Sequence, residues 1–183
     1  MKKLRLVVFA IVALAQIGVP ASMLWKRQRT LSEGRLWKFR TAPVDPVDVL
    51  RGRYLTFRFA AEEFPSAGPL PSGDLIYVTL KEDANGFAVV DQASNVRMAG
   101  DNVVEVENYG QYDGKGRVGF PFDEMWVTEP NAVAAEQAYF AHSQRNQADA
   151  YVTVRVRDGD AAIEELFIAG QPLREFLRTQ ASP

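Results

Sequence analysis

From Leu6 to Trp25 twenty consecutive residues carry no formal charge, and basic clusters at Lys2-Lys3-Leu4-Arg5 and Lys26-Arg27-Gln28-Arg29 bracket the run. A helix rises about 1.5 Å per residue, so the run reaches about 30 Å, the thickness of a bilayer's hydrocarbon core. Gln16 and Ser22 are its only conspicuously polar side chains, and Trp25 stands where an interfacial aromatic belongs. The pattern predicts a transmembrane anchor over 6–25, between a basic flank at 1–5 and a basic juxtamembrane segment at 26–34. A cleaved secretory signal competes, with Leu6 to Ile17 as its apolar core and Val19-Pro20-Ala21 as a small-residue site before Ser22. Apolar character continues through Met23, Leu24 and Trp25, and charge follows at once, which favours the anchor.

Past the anchor the dominant period is two. Trp37, Phe39 and Thr41 alternate with Lys38 and Arg40, and Leu55, Phe57 and Phe59 alternate with Tyr54, Thr56 and Arg58. Leu75 to Leu80 is apolar on both faces and reads as an interior strand. Asn85-Gly86 predicts a tight turn into Phe87 to Val90, and further short strands are expected near 94–98, 103–109 and 117–122. Gly100-Asp101 and the Gly110 to Gly116 stretch separate them. Thr128-Glu129-Pro130 offers a cap to a helix over 132–145, with Val133, Gln137 and Phe140 beside Ala134, Ala138 and Ala141 as its apolar stripe. Tyr151 to Val156 and Ile163 to Ile168 alternate around Asp158-Gly159, a hairpin signal, and Pro172 to Arg178 suggests a short terminal helix. The expected architecture is a mainly β, small barrel- or sandwich-like domain over 35–178 with one docked α-helix. A single N-terminal transmembrane helix precedes it and a tail at 179–183 follows it.

Charge divides the chain. Residues 1–40 hold nine Lys or Arg against one Glu, net +8, whereas the remainder is net −10. An acidic head lacks the footprint of a nucleic-acid binder. With basic residues on both flanks, the positive-inside rule leaves sidedness undecided, and the Lys26 to Arg40 flank could lie on anionic head groups as a collar. No cysteine is present, which removes disulfides and thiol chemistry.

The segment Gly52-Arg53-Tyr54-Leu55-Thr56-Phe57-Arg58-Phe59 resembles the motif of the GDYXXLXY family of bacterial membrane-anchored proteins. Gly52 and Tyr54 match directly, while Arg53 replaces Asp, Phe57 replaces Leu and Phe59 replaces Tyr. Gly73 to Leu80, Phe122 to Pro130 and the hairpin of Val152 to Gly170 are similar to later parts of the family pattern. The resemblance implies a single-pass protein of the inner membrane with its domain outside the cytoplasm, working beside a multi-spanning membrane protein. It carries over no catalytic residue and no cofactor. On the residues themselves, Gly52 suits a tight entry after Pro43 to Asp48, and Tyr54 can bury its ring with its hydroxyl at the rim. Arg51 and Arg53 share one side of an extended segment and could pair with Asp45 or Asp48. Asp45, Asp48, Arg51, Gly52, Arg53, Tyr54, Phe57 and Phe59 are therefore the motif and candidate binding residues.

Other chemistry is thin. His142, the sole histidine, reads as a surface residue late in its helix. Ser22-Met23 at the membrane edge resembles the nucleophile position of signal-peptidase-like serine–lysine hydrolases, but their proline-containing segment is missing. No lysine is clearly placed as a base either, since Glu82 and Asp83 favour a solvated ammonium at Lys81. Adjacent acids such as Glu62-Glu63 and Asp123-Glu124 point to opposite faces of a strand and do not converge by themselves. The function expected is a non-enzymatic accessory or interaction module of the bacterial cell envelope whose partners are the lipid bilayer and a multi-spanning membrane protein. An envelope-ligand binder or hydrolase is the alternative.

Overall fold

The structure, a computed structural model, describes residues 2–42, 54–66, 68–70, 73–128, 131–144 and 149–180. Its first element is a helix, α1 (Lys2–Glu33), which runs through the apolar stretch and on into the basic flank without a break. An 18-residue window within it has a mean hydropathy of 2.2, and none of that window is buried against the rest of the chain. This helix is apolar enough and long enough to cross a membrane.

The helix ends at Gly34, whose amide donates to the Thr30 carbonyl at 2.9 Å. A Cβ at Gly34 would lie 2.4 Å from that carbonyl and 3.0 Å from the carbonyl of Val156. Glycine lets helix turn into strand while the backbone touches its neighbour.

The strands follow as β1 (Arg35–Arg40), β2 (Tyr54–Thr56), β3 (Glu63–Pro65), β4 (Leu75–Glu82), β5 (Ala88–Ser94), β6 (Val103–Tyr112), β7 (Lys115–Gly119), β8 (Glu124–Trp126), β9 (Ala150–Arg157), β10 (Asp160–Ile168) and β11 (Gln171–Pro172). Two further helices are α2 (Ala132–Ser143), between β8 and β9, and α3 (Leu173–Gln180). The strands form a four-stranded sheet β1-β9-β10-β11, a five-stranded sheet β3-β7-β6-β4-β5 and a ribbon β2-β8. The fold is mainly β, with sheets that do not close into a barrel.

Alternation decides which side chains enter the core. Trp37 and Phe39 of β1 are buried while Lys38 is exposed, and Leu55, Phe57 and Phe59 are buried while Arg58 is exposed. Phe39 sits at the centre, edge-on to Phe59, Phe120 and Phe122 with ring centroids 5.5, 5.2 and 5.0 Å away. Such pairs add about 0.5–1.5 kcal/mol each beyond the burial of their area. The β9–β10 hairpin turns at Asp158 and Gly159, with φ of 51° and 94°. Its tip is stitched to the start of β6: Gly159 donates to the Val103 carbonyl (3.2 Å) and accepts from the Glu105 amide (2.9 Å). Those bonds join the two larger sheets.

α1 is clamped to the same hairpin. Thr30 is buried, Lys26 pairs with Asp160 at 2.8 Å, Arg157 pairs with Glu33, and Arg155 donates to the Gly34 carbonyl at 3.1 Å. Arg35 also pairs with Glu82 at 3.0 Å. Part of the basic flank expected to lie on head groups therefore neutralises the head's own carboxylates.

Several sequence expectations need revision. Residues 95–98 form no strand; β5 stops at Ser94, whose hydroxyl accepts the Val96 amide (3.1 Å) and turns the chain. Gly110 to Gly116 is mostly strand, because β6 continues through a bulge between Asn108 and Gln111 and turns at Asp113-Gly114 into β7. The buried stripe of α2 is Ala135, Tyr139 and Ser143, whereas Val133 is 65% exposed. Alanines on every side left the sequence no clear moment, and the sheet beneath chose the face. Glu129 and Pro130 of the expected cap lie outside the described residues. A second helix docks as well, since Leu173 of α3 is buried. His142 is no free surface residue: its side chain is 16% exposed, Nδ1 lies 2.7 Å from Asp149, and its ring is edge-on to Phe176.

Candidate functional site

After β2 the extended chain carries Phe57 and Phe59 inward and Arg58 outward, then closes into a 3-10 turn, Ala60–Glu62. Backbone bonds hold this segment on both sides: the Phe57 amide donates to the Asp123 carbonyl (2.6 Å), and the Arg58 carbonyl accepts from Ala42 (2.7 Å). Across the ribbon Tyr54 faces Trp126 and Thr56 faces Glu124. Between this ribbon, the turn and the β6–β7 hairpin opens a cleft of about 510 Å³, lined by Thr56, Arg58, Glu62, Tyr109, Arg117, Asp123 and Glu124 among others.

Glu62 has the deepest carboxylate in the cleft, its side chain 15% exposed. One oxygen accepts the Phe59 amide at 2.9 Å and the other lies 3.6 Å from Arg58. Burial pushes its carboxyl above the usual range, the Phe59 amide and Arg58 oppose that shift, and nearby Asp123 adds to it. Glu63, one residue on, points away and pairs with Arg117 at 3.3 Å. Tyr109 donates to Glu107 at 2.8 Å, which raises its hydroxyl, and its ring covers Gly119, where a Cβ would meet the phenol at 2.5 Å. Two residues along the ribbon from Thr56 and Glu124, Tyr54 and Trp126 pack with centroids 3.8 Å apart and ring planes tilted by 50°, and Trp126 is 66% exposed.

The walls thus offer guanidinium forks at Arg58 and Arg117 and carboxylates at Glu62, Asp123 and Glu124, with the Tyr54–Trp126 pair further along the same ribbon. Such a surface suits a ligand that brings both donors and acceptors together with an apolar face. Among the described residues no group of three or more His, Asp or Glu is placed to hold a metal ion.

A family model described as GDYXXLXY protein matches residues 16–166. The chain belongs to the GDYXXLXY family. No curated protein and no solved structure matches it. Within the GDYXXLXY motif of this chain, Tyr54 packs on Trp126, while Phe57 and Phe59 are 1% and 2% exposed and pack the core. Both fix the strand that carries Thr56 and Arg58, and Phe57 also borders the cleft. Asp45, Asp48, Arg51, Gly52 and Arg53 lie outside the described residues.

Nothing in the sequence marks Tyr109 or Arg117 as cleft residues, and the acidic doublets that hold Glu62 and Asp123 read there as not convergent. The signal available was the pair of acidic doublets, but Glu62 ends a 3-10 turn rather than standing in a strand, Asp123 and Glu124 both line the cleft, and nothing local places Glu62 beside Asp123. Ser22 donates to the Val19 carbonyl (2.7 Å), and Lys81 pairs with Asp91 (2.6 Å) on a different element.

Proposed function

We propose that this GDYXXLXY protein is a membrane-anchored, non-enzymatic binding module of the bacterial cell envelope. Its head, residues 35–178, stands outside the cytoplasm at the inner membrane and presents the Arg58–Glu62–Asp123 cleft to a protein partner. The junction of α1 with the β9–β10 hairpin carries this reading. A helix that leaves its apolar length unburied, yet is clamped to the head by Lys26, Thr30 and Glu33, holds that head close to the lipid surface in a fixed pose.

The chain has no cysteine, so Tyr112→Cys on an exposed strand end gives a single reporter thiol. A membrane-impermeant maleimide should label it in intact spheroplasts; labelling only after lysis would end the extracytoplasmic reading. Reversing both exposed guanidiniums, Arg58→Glu with Arg117→Glu, should release the partner from complexes purified in mild detergent while the fold persists. Undiminished recovery of the complex would remove the cleft from the account.

The exposed Trp126 ring favours a second reading, an envelope ligand with a flat apolar face such as a sugar ring. Titrating purified cell-wall fragments should then quench tryptophan fluorescence in the native chain and not in Trp126→Ala.

A further inference from the structure

Gln16 lies ten residues from Leu6 and nine from Trp25, roughly 15 Å and 13 Å from the ends of the apolar span and so near its middle. The hydroxyls of α1 satisfy themselves: Ser22 donates to Val19, Thr30 to Lys26 and Ser32 to Arg29. The Gln16 side chain is exposed and makes no hydrogen bond among the described residues. Its backbone is short of a partner too. Pro20, four residues on, has no N–H, so the Gln16 carbonyl lacks its ordinary helical donor. An amide and a carbonyl are thus both unpaired at the depth where water is absent, and a polar group there calls for a protein partner.

The face on which Gln16 lies identifies the kind of partner. Val12, Gln16, Val19, Met23, Lys26 and Thr30 follow one another at spacings of four and three, which keeps them on one side of a helix. The upper end of that side is the one the head occupies: Lys26 pairs with Asp160, Thr30 is buried, and Met23 borders a cleft of about 480 Å³ with Ala161 and Ala162. The head therefore overhangs the Gln16 face. Two copies of this chain packed symmetrically through that face would bring both heads into one volume.

Resting on the anchor reading above, we infer that the Val12–Gln16–Val19–Met23 face of α1 docks a transmembrane helix of a different protein. That helix carries a hydrogen-bond donor at mid-membrane depth, for the Gln16 carbonyl and amide oxygen, and it ends beneath the head at the Met23–Ala161 cleft. The interface continues the one α1 already makes with the β9–β10 hairpin.

The test uses the full chain in its native membrane with a photo-crosslinking residue at Val19, on this face, or at Leu14, on the opposite one. The Val19 position should capture one membrane protein bearing a polar side chain at matching depth, with several-fold less at Leu14. Gln16→Leu, which leaves the helix apolar throughout, should cut that yield about three- to tenfold, and Gln16→Asn should recover part of it. An adduct of twice the chain's own mass, lipid adducts alone, equal yields on both faces, or a yield indifferent to Gln16→Leu would each overturn the inference. Alkaline carbonate extraction separates the two levels. A chain that stays in the membrane without a face-specific adduct refutes this docking face alone, whereas a chain that leaves refutes the anchor as well.

Discussion

Glu62 joins two demands at one carboxyl: it caps the turn after the motif strand, and it sits where burial disfavours its charge. The native state holds the Glu62 proton more tightly than the unfolded chain, whose glutamate titrates near 4.5. Its contribution is therefore most favourable below that value and is lost as pH rises through the raised native pKa. Glu62→Gln keeps the acceptor for the Phe59 amide and removes the titration. Urea denaturation from pH 4 to 7 should show the native chain losing stability relative to Glu62→Gln as pH rises; parallel curves would refute the shift. Tyr139 makes a second residue-scale case. Its buried hydroxyl has Thr41 as a polar neighbour, whose own O–H donates to the Ala150 carbonyl at 2.8 Å, and no hydrogen bond of good geometry reaches it among the described residues. Tyr139→Phe should leave stability unchanged or raise it by up to about 1 kcal/mol. A loss larger than that would reveal a bonded hydroxyl.

Elements meet at two crowded places, and each has its own failure. Phe39 is wholly buried among three other phenylalanine rings of the core, so Phe39→Ala should cost about 3–5 kcal/mol in thermal or urea unfolding. The turn from α1 into β1 depends on Gly34, where an added methyl meets backbone of both Thr30 and Val156. Gly34→Ala should push the helix end off β9 and cost about 1–3 kcal/mol, with new proteolytic cleavage between residues 30 and 36 as its local sign. An unchanged digest would mean that the junction yields easily.

At the scale of the whole molecule, α1 is both the proposed anchor and a part of the head's packing. A chain starting at Trp25 retains Lys26, Thr30 and Glu33, whereas one starting at Arg35 exposes the hairpin face they cover. The longer version should melt higher, by several degrees, and the shorter should self-associate through the bared face. Equal midpoints would reduce the helix–head contact to a crossing of convenience.

Periodicity made much of this legible in advance. An uncharged run can satisfy its backbone in lipid only as a helix, so α1 could be read from composition. Alternation at 37–41 and 54–59 could be read likewise, since a one-residue slip would drive Lys38 or Arg58 into the core. Asp158-Gly159 encoded its own turn because two successive residues there need positive φ. What the sequence could not hold was anything made of residues distant along the chain. The cleft needs Glu62 beside Asp123, α2 takes its buried face from the sheet below, and the Gln16 side of α1 is defined by where Asp160 docks. Those are pairings across open sheets, set by which faces are left to bury once the strands have formed, and no local pattern of polar and apolar positions contains them.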